Sequence, residues 1–144
     1  MQKLKISLPD INVWVALAAA RHAHHALAAK WFASAADSGV AFCRVTQMGF
    51  LRLLTNRHVM GNEVLVPTEA WSVFERLTGD PRIVFVVEPL DVEPVWKKIT
   101  RIMPNGRGLW TDAYLAAVAL LHDLRVVSFD KVFRHIADLD AVVL

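Results

Sequence analysis

Apolar residues along this chain fall into two kinds of run, and the two kinds alternate. The short runs are KISLP (5–9), VAFC (40–43), IVFVV (83–87), RVVSF (125–129) and AVVL (141–144); bounded by turn residues, they predict strands. Longer stretches rich in helix formers lie between them. INVWVALAAA is apolar nearly all round and predicts a short buried helix, with Asp10 as its N-cap. Residues 24–36 place Ala28, Trp31 and Phe32 at helical spacing, and Gly39 ends that element. QMGFLRLLTN predicts a helix capped by Thr46, with Phe50, Leu51 and Leu54 facing inward. Pro67, Thr68 and Glu69 open another, EAWSVFERLTG, which stops at Gly79-Asp80-Pro81. VEPVWKKITRIM is helical with Pro94 in its first turn, and PNGRG is a loop. Residues 111–122 form a late helix, and KVFRHI begins as a short one. Strands alternating with helices predict a parallel sheet covered on both faces, a three-layer α/β/α architecture.

Composition narrows the class. With 144 residues, 55% of them hydrophobic and 21% charged, the chain reads as one globular domain over 1–144 with a real core. Its net charge of +2 permits contact with nucleic acid without arguing for it. The single cysteine, Cys43, excludes an internal disulfide and suits a reducing cytosol. No apolar run reaches the roughly 18–20 residues that span a bilayer. The start, MQKLKISLPD, passes from basic residues straight to Asp10, so a signal peptide is not expected. A cytoplasmic protein without a membrane partner is the expectation.

The chemistry centres on three aspartates. Asp10 and Asp130 each end an apolar strand run, and Asp112 lies at the start of a helix. In a parallel sheet such positions gather at the carboxyl edge of the strands, where active sites form. One such aspartate alone reads as a cap. Three carboxylates drawn together repel, and a divalent cation is the simplest group that holds them. Metal-dependent chemistry on a phosphodiester follows as the leading idea.

Four segments, in order, resemble one known family. LPDINVWVAL followed by HAHHALAAKWF, then CRVTQMGFLRLLTN, then WTDAYLAAVAL and VVSFDKVF, are similar to PIN-domain ribonucleases of the VapC type, the toxins of bacterial toxin–antitoxin pairs. The resemblance covers nearly the whole chain. It implies a PIN-like parallel sheet between helices, an acidic Mg²⁺ or Mn²⁺ site, endonucleolytic cleavage of RNA, and inhibition by a cognate VapB-like antitoxin. By position it assigns Asp10, Asp112 and Asp130 as catalytic residues and metal ligands, and Asn12 as a brace. Where many members carry a glutamate, after the second strand, this chain carries Gln47, which keeps an oxygen acceptor but loses the charge. Three carboxylates instead of four imply weaker hold on a second metal.

Thr111 and Ser128 adjoin the acids and can contact phosphate or a water at the metal, or simply cap and turn the chain. Arg107, Arg44 and Lys131 are the nearest candidate RNA contacts, with Arg52, Arg57, His58 and Arg134 behind them. His22, His24 and His25 lack the partners of a zinc site. The five tryptophans read as core or interface anchors, with Trp71 and Phe74 as candidates for an antitoxin contact or a homodimer. Two rivals stand beside the nuclease: a non-catalytic RNA-binding or scaffold protein, and phosphoryl transfer to Asp10. The second is disfavoured because the acidic pairs it needs are absent and position 12 is Asn.

Overall fold

The computed structural model describes residues 4–144, so the first three residues of the basic MQKLK start lie outside it. Five short strands are present: β1 (Ser7–Pro9), β2 (Val40–Phe42), β3 (Ile83–Phe85), β4 (Arg125–Ser128) and β5 (Ala141–Val143). The helices are α1 (Ile11–Ala18), α2 (His25–Ala35), α3 (Arg44–Leu54), α4 (Arg57–Met60), α5 (Pro67–Thr78), α6 (Val92–Ile102) and α7 (Leu109–His122). All strand pairs are parallel and the order is β3-β2-β1-β4-β5. The three-layer α/β/α expectation therefore holds.

The chain moves outward from β1 through β2 to β3, then returns by α6 and α7 to place β4 on the other side of β1. The direction of winding thus reverses between β1 and β4. At such a switch point the two following loops part and leave a crevice at the carboxyl edge.

Strand alternation divides the core between two faces. Leu8, Ala41 and Val126 point to one face and pack with Ala113, Ala116, Ala117 and Ile99 of α7 and α6. Val40, Phe42 and Ile83 point to the other and pack with Trp14, Phe50, Leu54 and Phe74 of α1, α3 and α5. Trp14 stacks on Phe42 at 3.7 Å, and Phe74 meets the same ring edge-on at 5.0 Å. Phe74 is therefore a core residue, not the contact residue expected, whereas Trp71 is 47% exposed. Among the described residues no helix is long and apolar enough to cross a membrane.

Several boundaries depart from expectation for local reasons. Helix α3 begins two residues before Thr46, which serves as its third residue; the Thr46 hydroxyl accepts from Cys43 N–H at 3.0 Å. Cys43 is buried at this cap, just beyond β2, and burial pushes its thiol pKa up. The third strand stops at Phe85 because β3 is an edge strand paired only with β2, which leaves Val84 and Phe85 exposed. KVFRHI folds as a 3₁₀ turn, and α4, a single turn capped by Asn56, went unforeseen. The opening of α5 is as read: Glu69 accepts from Val66 N–H at 3.0 Å.

The α1–α3 contact depends on a missing side chain. A Cβ on Gly49 would stand 2.1 Å from Ile11 Cδ1 and 2.7 Å from its Cγ1. Because Ile11 is β-branched and stiff, the helices would have to separate. Gly49→Ala should destabilise the fold by about 1–3 kcal/mol in chemical denaturation. Adding Ile11→Val, which removes Cδ1, should recover part of that loss.

Candidate active site

Asp10 directly follows β1, and Ser128 is the last residue of the neighbouring β4, so the switch point sets the two side by side. Ser128 is fully buried. Its hydroxyl donates to Asp10 Oδ2 at 2.8 Å and accepts from Asp130 N–H at 2.9 Å and Asn12 Nδ2 at 3.4 Å. A serine hydroxyl has one proton and two lone pairs, and all three are used. Asp10 Oδ1 also accepts from Ile11 N–H at 2.8 Å, so Asp10 is the N-cap of α1 as read. Asp130 Oδ1 accepts from Val132 N–H at 3.0 Å and caps the 3₁₀ turn. Both aspartates thus cap the element that follows them, and they lie near enough for the Asp130 charge to raise the Asp10 pKa.

Asp112 approaches from the opposite face. Helix α7 starts at Leu109, three residues before the aspartate, so Asp112 lies inside its first turn. Its carboxylate rests against Gly108, where a Cβ would lie 2.6 Å from Oδ2. Among the described residues no hydrogen-bond donor reaches that carboxylate. Burial, followed by the charges of Asp10 and Asp130, raises its pKa from 3.8 to about 7. Asp10 is also raised, chiefly by burial, against the lowering effect of its hydrogen bonds from Ser128 and Ile11.

The donor chemistry fits a hard divalent cation. It is all oxygen, it carries a surplus of negative charge, and the buried Asn12 Oδ1 has no hydrogen-bond partner. Among the described residues, no three His, Cys, Asp or Glu side chains are already gathered tightly enough to form a metal site as they stand. The three aspartates meet at one edge but do not form a closed cage.

Gln47 lies on α3, the helix that follows β2, as read. It is buried on α3, its amide oxygen accepts from Arg44 Nη1, and it lines a cleft with Phe74, Thr78 and Phe85. No hydrogen bond joins it to an aspartate. The part of α3 that meets the Asp10 segment is Gly49 against Ile11. Thr111 is exposed and donates to Gly108 O at 3.3 Å, so its observed role is local. Arg107 and Lys131 are exposed beside the acids in sequence, and Arg44 is exposed at the first turn of α3. Arg52, Arg57 and His58 lie at or beyond the far end of that helix, which runs away from the carboxyl edge.

Two features were missed. Gly108 stands four residues before Asp112, a helical spacing that could have flagged the contact. Phe129, between Ser128 and Asp130, carries the His24 ring stacked at 4.7 Å, which brings the α1–α2 loop to the same edge. His25 instead bonds Ala16 O at 2.8 Å, so the three histidines form no joint site.

Comparison with known proteins identifies the family and the fold. The family model described as PIN domain matches residues 7–139. Ribonuclease VapC41 of Mycobacterium tuberculosis is 39% identical over 131 residues, covering 88% of this chain and 90% of that protein. Ribonuclease VapC38 of the same organism is 34% identical over 126 residues, covering 87% and 85%. The crystal structure of VapBC2 from Rickettsia felis bound to a promoter DNA fragment matches with a TM-score of 0.69 at 11% identity, over 96% of this chain and 98% of that one, and this likeness speaks for the fold alone.

The raised Asp112 pKa has a consequence for stability with a definite sign. Between about pH 4 and pH 7 the folded chain holds a proton that the unfolded chain has released, so folding stability falls as pH rises through that window. His22, whose pKa burial lowers, acts in the opposite direction. The difference between wild type and Asp112→Asn isolates the carboxylate. In EDTA, melting temperatures from pH 4 to 8 should show Asp112→Asn gaining on wild type as pH rises, with the gap level above about pH 7.

Proposed function

The chain belongs to the PIN-domain family as a VapC-type ribonuclease toxin of a toxin–antitoxin system, and on that premise we propose that Asp10, Asp112 and Asp130 hold the Mg²⁺ or Mn²⁺ at which RNA is cut. The observation that carries the assignment is the Asp10–Ser128–Asp130 hydrogen-bonded set at the switch point, faced by Asp112, whose carboxyl meets no hydrogen-bond donor among the described residues.

Each residue has a physical task. Ser128 fixes the direction of Asp10 and, by holding the Asp130 backbone, sets where that second carboxylate starts. Asn12 braces the same hydroxyl, and its buried Oδ1 has no hydrogen-bond partner among the described residues. Gly108 gives Asp112 room to lie against the turn. When bound, the cation supplies Lewis acidity, polarising a phosphoryl oxygen and lowering the pKa of water beside it. Arg107, Lys131 and Arg44 supply positive charge around an otherwise acidic edge and are the candidate contacts for RNA phosphates.

The implied partner is a VapB-like antitoxin. Exposed Trp71 and Val66 on the α5 side are candidate anchors for that partner or for a homodimer. A cytoplasmic location follows from the same reading.

Protein freed of antitoxin should cut RNA with Mg²⁺ or Mn²⁺ and stop in EDTA. Asp10→Asn should lower the cleavage rate by about 10³-fold, since several kcal/mol of charge stabilisation depend on the metal site. Ser128→Ala, which removes one hydrogen bond to a charged group, should cost about 10- to 100-fold. RNA binding without cleavage at any metal concentration would establish the non-catalytic reading instead. Undiminished cutting by Asp10→Asn would overturn the site assignment.

A further inference from the structure

Beside Asp112, on the β3 side, the carboxyl edge opens into an apolar groove of about 550 Å³. Its walls are aromatic: Phe85 from β3, Trp96 from α6, and Trp110 and Tyr114 from α7. The rings are set, not loose. Trp96 meets Trp110 and Tyr114 edge-to-face at 6.3 and 5.4 Å, and Trp96 Nε1–H donates to Trp110 O at 2.9 Å. Yet Trp110 is 63% exposed and Phe85 41%, so both rings keep surface open to solvent.

Two charged groups of opposite sign also line the groove. The Arg44 guanidinium lies over the Phe85 ring at 4.7 Å and gives one of its N–H groups to Gln47. Glu88 accepts from the Tyr114 hydroxyl at 2.6 Å through Oε1, which orients the carboxylate and leaves Oε2 without a partner among the described residues. Thr111 also lines the groove, one residue before Asp112 on α7.

Exposed aromatic rings, a flat cation and an oriented carboxylate are the elements that bind an unpaired RNA base. Guanine and uracil both set an acceptor beside a donor, and of the two only guanine, the purine, offers two acceptors to Arg44 and two donors to Glu88. Its O6 and N7 accept hydrogen bonds, which suits Arg44, and its N1–H and N2–H donate, which suits Glu88. Adenine keeps the N7 acceptor but inverts the other two positions, setting the N6 donor against Arg44 and the N1 acceptor against Glu88. Pyrimidines are shorter across the ring.

We propose that this groove is a base subsite of the active centre, taking one unpaired guanine adjacent to the phosphate that is cut, with Trp110 stacking on the base and Glu88 and Arg44 selecting it. The proposal rests on the ribonuclease reading, so its test uses two independent readouts. The first is the rate of cleavage of short single-stranded RNAs that differ at one position. Wild type should favour guanine at one fixed position by at least about tenfold. Glu88→Gln, nearly isosteric, should reduce that preference to below about threefold, and Trp110→Ala should raise KM for the guanine substrate.

The second readout is tryptophan fluorescence in Asp10→Asn protein, where GMP should quench and AMP should do so only at much higher concentration. Trp110→Ala in that background should lose the quench. If wild type cuts RNA while Glu88→Gln and Trp110→Ala keep the same base preference, the subsite is refuted. Loss of self-association or antitoxin binding in those variants, with base preference intact, would assign the groove to a protein partner and equally refute it. If wild type cuts no RNA, the ribonuclease reading fails, and GMP-selective quenching alone decides whether the groove binds guanine.

Discussion

One hydroxyl holds the acidic edge together. Ser128 sits where β4 ends beside β1, and it spends its single proton on Asp10 while accepting from the Asp130 backbone and from Asn12. Two segments that would otherwise bring like charges together without restraint are tied through this neutral group. Its position depends on the strand order, because only a chain that returns to the far side of β1 places residue 128 next to residue 10. A serine buried completely at a strand end could seem a minor packing residue. Here it converts a topological reversal into a defined pair of carboxylates.

The third carboxylate depends on small residues. Ala113, Ala116, Ala117 and Ala119 let α7 lie close over Leu8, Ala41 and Val126, and Gly108 leaves space for the Asp112 carboxylate itself. The close approach carries a cost, visible in the upward shift of the Asp112 pKa by burial and by its two acidic neighbours. Structure and chemistry therefore oppose each other at this edge, since the packing that brings the carboxyls close disfavours their charged forms. The fold tolerates it because the rest of α7 is buried and apolar.

The alternation of strand and helix was legible because β-branched runs and helix-forming stretches have different periods, and Asp10 and Asp130 stood out as candidates because each follows a strand run, while Asp112 stood out in the first turn of a helix. What could not be read is spatial. Nothing local distinguishes Gln47, whose side chain turns to Arg44 and Phe74, from a residue turned toward Asp10. The exposure of Val84 and Phe85 follows from β3 lying at the sheet edge, a fact of strand order and not of strand sequence. The tryptophans read as anchors for the core or an interface, and Trp14 is one. Trp96 and Trp110 are distant in sequence and meet only because α6 and α7 pack together, which makes a groove that no single segment announces.

The long-range bond between Asp10 and Ser128 also bears on timing. The two residues are 118 positions apart. At a synthesis rate of about 5–20 residues per second, roughly 6–24 s pass between their additions to the chain. Until β4 is made and docked beside β1, Asp10 has neither its orienting hydroxyl nor Asp130 beside it. A nascent chain carrying the first three strands therefore has no assembled acid set, however well those strands have folded. The machine that makes this protein is itself built of RNA, and the same strand order that creates the crevice delays its completion until most of the chain has been synthesised.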